Sequence, residues 1–138
     1  MGQSEETSIP YDIPVVFIGK PAPGECIASI RLPRKVVFPP NFKDSQIRYS
    51  FQPSAYWFFY NFLDHAYPPA VFTVKSWGVT IGTITVGITE SGGARINTFA
   101  TVDGLEKEID GSIEVYAPNP ADLTLENIYI TFAGVISV

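Results

Sequence analysis

Glycine and proline interrupt this chain so often that they leave no room for long helices. The 138 residues include 11 glycines and 12 prolines, and both residue types are unfavourable inside a helix. Between these interruptions, apolar residues recur at every second position, a period that is typical of strands with one buried face. The sequence therefore predicts short strands separated by turns.

The alternation assigns most of the strands and their inner faces. The segments predicted to be strands are 11–19, 25–32, 36–38, 46–51, 70–77, 79–86, 94–101, 112–117 and 128–134. The predicted inner face of the first segment consists of Tyr11, Ile13, Val15 and Phe17, and that of the second of Cys26, Ala28, Ile30 and Leu32. Pro14 has no N–H to donate to a neighbouring strand, which marks the first segment as an edge or bulged strand.

The second half of the chain contains a predicted hairpin. Ser76, Trp77 and Gly78 join two strands in a turn where glycine can supply a positive φ, and the inner face changes near Gly82, which predicts a β-bulge. Eight or nine short strands at this spacing predict an all-β fold, a single antiparallel β-sandwich of jelly-roll type over residues 11–138. Residues 1–10 are expected to form a short N-terminal arm.

The charge balance argues against a nucleic-acid partner. Nine basic residues stand against 14 acidic ones, giving a net charge of −5, whereas phosphate binding needs a basic patch. No apolar run approaches the roughly 18–20 residues that span a bilayer, so no membrane partner is expected. The polar first residues, which include Glu5 and Glu6, do not have the pattern of a signal peptide.

Few residues are suited to catalysis or to metal binding. Cys26 and His65 are the one cysteine and the one histidine, too few for a structural zinc site. Cys26 is expected to be a small buried residue, and His65 is interpreted as a structural or solvent-exposed loop residue. Glu106, Glu108 and Asp110 share one face of an extended segment, interpreted as a solvated face, with calcium binding or a glycosidase pair as less favoured alternatives. No catalytic residue, metal or cofactor is predicted.

An aromatic block interrupts the alternation between residues 56 and 62. Six aromatic residues fall in this segment: Tyr56, Trp57, Phe58, Phe59, Tyr60 and Phe62. Such density is compatible with core packing, with a subunit interface, or with a surface on which sugar rings stack. The interface candidates are Tyr56, Trp57, Phe59 and Tyr60, with Gln3, Ile9 and Pro10 of the arm. The candidates for the alternative, glycan binding, are Tyr56, Trp57 and Tyr60.

Several strand and turn segments carry a resemblance to a known family. In the second half they are Ala70 to Lys75, Ile81 to Thr85 after Gly78, Val115 to Pro118, Ala121 to Leu125 and Ile128 to Gly134. In the first half they are Ile9 to Ile13, Gly19 to Pro21 and Arg34 to Phe38. Their order resembles a family of small β-domains encoded among the structural genes of tailed bacteriophages. Two features depart from that family: Trp77-Gly78 stands where members have Asn-Gly, and the aromatic block is inserted.

The resemblance implies a non-enzymatic virion protein, made in the host cytoplasm. Such a domain would dock on other capsid or tail proteins, either beside the tail and its fibres or as a decoration (cement) protein of the head. Because an N-terminal arm and open strand edges favour assembly, we expect a homo-oligomer. The resemblance implies a preference for a trimer, since trimers are common among phage fibres and decoration proteins. The alternative is a carbohydrate-binding, receptor-recognition module of a tail fibre, with a host-surface glycan as its ligand.

Overall fold

The computed structural model describes residues 8–51, 70–88, 95–119 and 125–137, which form ten β-strands and two short 3₁₀ turns. The strands are β1 (Ser8–Phe17), β2 (Cys26–Arg31), β3 (Val36–Phe38), β4 (Gln46–Phe51), β5 (Ala70–Ser76), β6 (Val79–Ile88), β7 (Arg95–Thr101), β8 (Lys107–Ile109), β9 (Ser112–Tyr116) and β10 (Leu125–Ser137). The 3₁₀ turns are Pro40–Phe42, between β3 and β4, and Val102–Gly104, between β7 and β8.

The strands form two antiparallel sheets. Sheet A has the order β1-β10-β3-β8, with β4 pairing the first part of β10, and sheet B has the order β2-β9-β5-β6-β7. Buried residues of both sheets form one hydrophobic core, as expected for two sheets packed face to face. The predicted all-β fold, an antiparallel β-sandwich, is confirmed, whereas its jelly-roll variant stays a prediction.

The predicted inner face of β1 is confirmed. Ile13 and Val15 are buried, and Tyr11 and Phe17 pack against the core. Among the described strands, β1 is at the edge of sheet A, a position in which Pro14 can be accommodated although it has no N–H.

The predicted hairpin is confirmed, together with its bulge. β5 and β6 are joined by Trp77 and Gly78, and Val74 pairs with Gly82 whereas Lys75 pairs with Thr80. The residue between Thr80 and Gly82 is therefore an extra one, as in a β-bulge. β8 is a strand that the alternation does not predict. It lies within the acidic segment that contains Glu106, Glu108 and Asp110.

The predicted inner face of β2 is wrong at its first residue. Cys26 is exposed and Ile27 is buried, so Cys26 is not the small buried residue that the alternation predicted. The cause is another β-bulge, because Cys26 pairs with Tyr116 whereas Ala28 pairs with Val115, which leaves Ile27 as the extra residue. An extra residue reverses the faces on one side of a bulge. Beyond it, the predicted inner face is correct.

The turn Pro40–Phe42 carries a side chain that joins the two sheets. Phe42 is 1% exposed, and its ring centroid lies 5.5 Å from that of Phe38 and 5.4 Å from that of Phe132, both in sheet A. The ring centroid of Phe99, in sheet B, is 6.4 Å away. The backbone of Phe42 has a φ of 49°, which is costly for a residue other than glycine. Burial of the phenyl ring between the sheets offsets this cost.

Asn41 fixes the same turn to β7. Its backbone N–H donates a hydrogen bond to Oγ1 of Thr101 at 3.0 Å, and its Oδ1 accepts one from the backbone N–H of Thr101 at 3.1 Å. Asn41 has a φ of 55°, a conformation that asparagine tolerates better than most residues. The two hydrogen bonds hold the neighbouring Phe42 in its position between the sheets.

Gly82 leaves the space that the ring of Phe42 occupies. A Cβ atom at this position would contact the carbonyl oxygen of Ala100 and would lie 2.5 Å from Cε2 of Phe42. We therefore expect Gly82→Ala to lower the free energy of unfolding by about 1–3 kcal/mol, the usual cost of overpacking a core. Equilibrium denaturation in urea measures this change.

Gly87→Ala, in the same strand, is the matched control. Its Cβ would have as its nearest neighbour the carbonyl oxygen of Ile96, at an ordinary contact distance of 3.5 Å. We expect its free energy of unfolding to stay within about 0.5 kcal/mol of the wild-type value. Equal losses in the two variants would contradict the role assigned to the contact between Gly82 and Phe42.

Candidate functional site

The sequence-predicted site residues fall into two groups. Those outside the described residues are Gln3, Tyr56, Trp57, Phe59 and Tyr60, and His65 also lies there. Ile9 and Pro10 lie in β1, which begins at Ser8. Both are exposed, and they stand opposite Ile136 and Val135 of β10. The last residues of the predicted arm therefore belong to a paired strand.

The three carboxylates of the acidic segment are exposed around β8. Oε1 of Glu108 lies 3.7 Å from Nζ of Lys35, an exposed ion pair of the kind that contributes little to stability. Glu106 and Asp110 flank this strand on the surface. Among the described residues, no group of three or more His, Cys, Asp and Glu side chains is placed to hold a metal ion.

The outer face of sheet A is poor in charge along β1 and β10. Where β1 pairs with residues 128–137 of β10, the outward residues are Ser8, Pro10, Asp12, Pro14, Val16, Tyr129, Thr131, Ala133, Val135 and Ser137, of which Asp12 alone is charged. Glu126 lies in β10 before this paired part, and Arg48 of β4 is the other cross-strand neighbour of Tyr129. Val16 and Tyr129 are cross-strand neighbours, 58% and 45% exposed, and Ile18, just beyond β1, is 67% exposed. We call this surface the β1–β10 face. Adjacent exposed apolar side chains are typical of surfaces that contact other proteins.

A second exposed aromatic side chain lies at the tip of the β5–β6 hairpin. Trp77 and Gly78 have φ values of 52° and 80°, the two positive angles that a type I′ turn requires. Asparagine and glycine suit such a turn, whereas a bulky residue at positive φ is strained. Trp77 is 61% exposed, so burial of its indole offsets little of this strain.

The indole of Trp77 is held in one orientation on the surface. Its Nε1–H donates a hydrogen bond to the carbonyl oxygen of Asp110 at 3.1 Å. The ring lies against Gly111, where a Cβ atom would come within 2.8 Å of two ring carbons. The guanidinium carbon of Arg31 lies 5.5 Å from the ring centroid, within the range of a cation–π interaction. The ring is thus fixed although most of it remains exposed.

Glu114 fixes the backbone of the same turn. Its carboxylate accepts hydrogen bonds from the backbone N–H of Trp77 at 3.2 Å and of Gly78 at 3.4 Å, and from the hydroxyl of Ser112 at 2.9 Å. Hydrogen bonds to an ionised group are stronger than those between neutral groups. The hairpin tip is therefore tied to β9 through one side chain.

Glu114→Ala should loosen the hairpin tip, because it removes the acceptor of two backbone N–H groups. We expect the amide protons of Trp77 and Gly78 to exchange faster with deuterium, and the free energy of unfolding to fall by about 1–2 kcal/mol. NMR-detected hydrogen exchange measures the first effect. Glu108→Ala, which removes an exposed ion pair, should leave both amides as protected as in the wild type. Unchanged protection in Glu114→Ala would refute the assigned role.

A third group of side chains lies on the outer face of sheet B. Nζ of Lys75 is 4.8 Å from the ring centroid of Tyr116, and Cys26 pairs with Tyr116 across β2 and β9. Desolvation raises the pKa of the Tyr116 phenol above its usual 10.0, and Cys26 and Glu114 add to the increase. The phenol is therefore neutral at physiological pH and can donate a hydrogen bond.

Trp77 and Arg31 are not among the sequence-predicted site residues. The signal that could have identified Trp77 is present in the sequence, because a tryptophan precedes the glycine of a two-residue hairpin in which asparagine is preferred. Arg31 has no comparable signal, since its proximity to the indole depends on the pairing of β2 with β9.

Comparison with known proteins identifies no family for this chain, so its function has to be inferred from its own sequence and structure. No family model matches the chain, no curated protein is significantly similar to it, and no solved structure matches it significantly. Within the part of the chain that the structure describes, no helix is long and apolar enough to cross a membrane.

Proposed function

We propose that this chain is a non-enzymatic structural protein of a tailed-bacteriophage particle. In this role the β-sandwich forms an oligomer, preferably a trimer, and docks on other virion proteins. Its place is either beside the tail and its fibres or on the head as a decoration protein. The observation that carries the docking role is the β1–β10 face.

The composition of the β1–β10 face supports docking on protein. A solvated sheet face usually carries charged side chains, whereas Asp12 is the one charged outward residue where β1 and β10 pair. Val16, Ile18 and Tyr129 place large apolar groups together on this surface. Their burial against a partner would stabilise a complex by roughly 25 cal/mol for each Å² of apolar surface removed from water.

Among the described strands β1 is at the edge of sheet A, and its sequence favours a contact through the face of the sheet. Pro10 and Pro14 lie in β1, and proline has no N–H with which to pair an added strand. Proline and charged residues on an edge strand discourage pairing with another chain. A partner of sheet A is therefore expected to cover side chains rather than extend the sheet from β1.

The sequence resemblance supports the phage assignment. The segments that carry it include parts of β5, β6, β9 and β10. β9, β5 and β6 are consecutive strands of sheet B, and β10 is the longest described strand, in sheet A. These segments build the sandwich itself, and the resemblance therefore bears on fold and assembly rather than on a chemical reaction.

Val16→Glu tests the β1–β10 face, because it places a charge among the exposed apolar side chains without touching the core. We expect the variant to fold with the wild-type melting temperature and to be incorporated into particles at least about tenfold less, since burying an unpaired charge costs several kcal/mol. Quantitative mass spectrometry of purified particles, from a phage that carries the variant gene, measures occupancy.

Ile96→Glu is the matched control for Val16→Glu. Ile96 is 56% exposed, close to the 58% of Val16, but it lies in β7 of sheet B. We expect its occupancy in particles to equal that of the wild type. Absence of the wild-type chain from particles would refute the proposed function, and normal occupancy of Val16→Glu would refute the role of this face.

Deletion of residues 1–7 tests the N-terminal arm. The truncated chain retains the whole of β1, which begins at Ser8, so we expect an unchanged melting temperature. If the arm docks on a particle protein, occupancy in particles should fall. A truncated chain that is incorporated at normal occupancy would contradict a docking role for residues 1–7.

A further inference from the structure

The strain at Trp77 has no explanation in the packing of the core. Two bulky aromatic residues, Phe42 and Trp77, have positive φ, a conformation that is strained for residues other than glycine. Phe42 is 1% exposed and its ring fills the core, whereas Trp77 is 61% exposed. Residues kept in strained conformations concentrate at functional sites. The exposed indole is therefore a candidate binding surface for a ligand.

The surface around the indole is prepared for a flat ligand. The hydrogen bond from Nε1 to Asp110, the contact with Gly111 and the cation–π contact with Arg31 fix the ring before anything binds. A ring that is already ordered loses little conformational entropy on binding. The indole π surface that Arg31 does not cover is electronegative and attracts weakly positive C–H groups.

Two polar residues adjoin the indole: Arg31 lies over the ring, and Asp110 accepts a hydrogen bond from Nε1 at the ring edge. The guanidinium of Arg31 carries five N–H donors, and within the described residues none of them makes a hydrogen bond or an ion pair. Asp110, whose carbonyl oxygen accepts the hydrogen bond from the indole, is an exposed residue. Its carboxylate likewise has no partner in the described part of the chain. The two groups have opposite charges, and the nearby carboxylate of Glu114 is already engaged by the turn backbone, so a ligand with both donor and acceptor groups suits the surroundings of the ring.

We propose that Trp77, Arg31 and Asp110 form a binding site for a pyranose sugar. One face of a pyranose ring presents C–H groups that pack on the indole, and its hydroxyl groups can both accept from Arg31 and donate to Asp110. A neutral ligand with an apolar face and polar edges satisfies all three side chains. The site is distinct from the β1–β10 face, since it lies on sheet B, and it does not depend on the docking function.

A saccharide fits the site better than a protein surface does. The centre of a protein interface is depleted in aspartate and glutamate, although tryptophan and arginine are enriched there, so it is the carboxylates beside Trp77 that favour a saccharide. Around Trp77, the neighbours that contact the indole or its backbone are Arg31, Asp110, Gly111 and Glu114. One large apolar side chain of the same hairpin, that of Val79, is also exposed, at 65%.

A glycan array probed with the purified full-length chain tests the proposal, and Trp77→Asn is its main variant. Asn-Gly is the preferred pair for a type I′ turn, so this variant should keep or raise the melting temperature while it loses the ring. We expect the wild type to bind at least one pyranose-containing oligosaccharide, and Trp77→Asn to bind it at least about tenfold more weakly. Val79→Ser, at the same hairpin, should bind as the wild type does.

A second measurement detects binding on the wild-type chain itself. The chain has two tryptophans, so an NMR spectrum of the ¹⁵N-labelled wild type has two indole N–H signals, and the Trp57→Phe and Trp77→Asn variants assign them. Titration with the bound oligosaccharide should shift the signal of Trp77. Arg31→Gln, which keeps a hydrogen-bonding side chain but loses the guanidinium, should bind more weakly.

The outcomes separate the proposal from its competitors. An array without any bound saccharide would overturn the sugar site, and so would equal binding by the wild type and Trp77→Asn. A shift confined to Trp57 would place sugar binding in the aromatic block instead. A blank array combined with loss of Trp77→Asn from particles would assign the indole to a protein contact, while leaving the docking function intact.

Discussion

The position of Phe42 between the sheets is the contact on which the rest of the sandwich depends. Each sheet buries one face, and the ring of Phe42 contacts Phe38 and Phe132 of sheet A and Phe99 of sheet B, with centroid distances of 5.4–6.4 Å. Loss of such a ring from a core costs about 3–5 kcal/mol, a large part of the stability of a small domain. The position is held by three independent features: the absence of a side chain at Gly82, the two hydrogen bonds between Asn41 and Thr101, and the burial of the ring itself.

The two strained aromatic residues lie in different surroundings: Phe42 is buried between the sheets, and Trp77 is exposed at the tip of the β5–β6 hairpin. The strain at Phe42 is offset by burial, and the result is a rigid connection between the sheets. The strain at Trp77 is offset by hydrogen bonds from the turn backbone to Glu114 and from the indole to Asp110, and the result is an exposed ring of fixed orientation. The core thus supports both the β1–β10 face and the hairpin tip, the two surfaces that are proposed to bind a partner.

The sequence allowed the fold class and most strands to be predicted, because period-two burial is a local property of each strand. The alternation succeeded in β1 and in the β5–β6 hairpin, whose turn residues are adjacent in sequence. It failed at Cys26, because a bulge depends on the pairing with β9, and no local pattern reveals that partner. Phe42 also escaped prediction, since it follows two prolines in a turn and becomes a core residue through contacts with distant strands. Arg31 and Asp110 approach Trp77 for the same non-local reason.

The bulge in β2 has a practical consequence for counting molecules. It moves the chain's one cysteine from the interior to the surface, so a maleimide dye can react with the folded protein without denaturation. Each copy then carries one fluorophore at a known position, on an edge strand of sheet B among the described strands and away from the β1–β10 face. Stepwise photobleaching of a single assembly would read the number of subunits directly from the number of intensity steps.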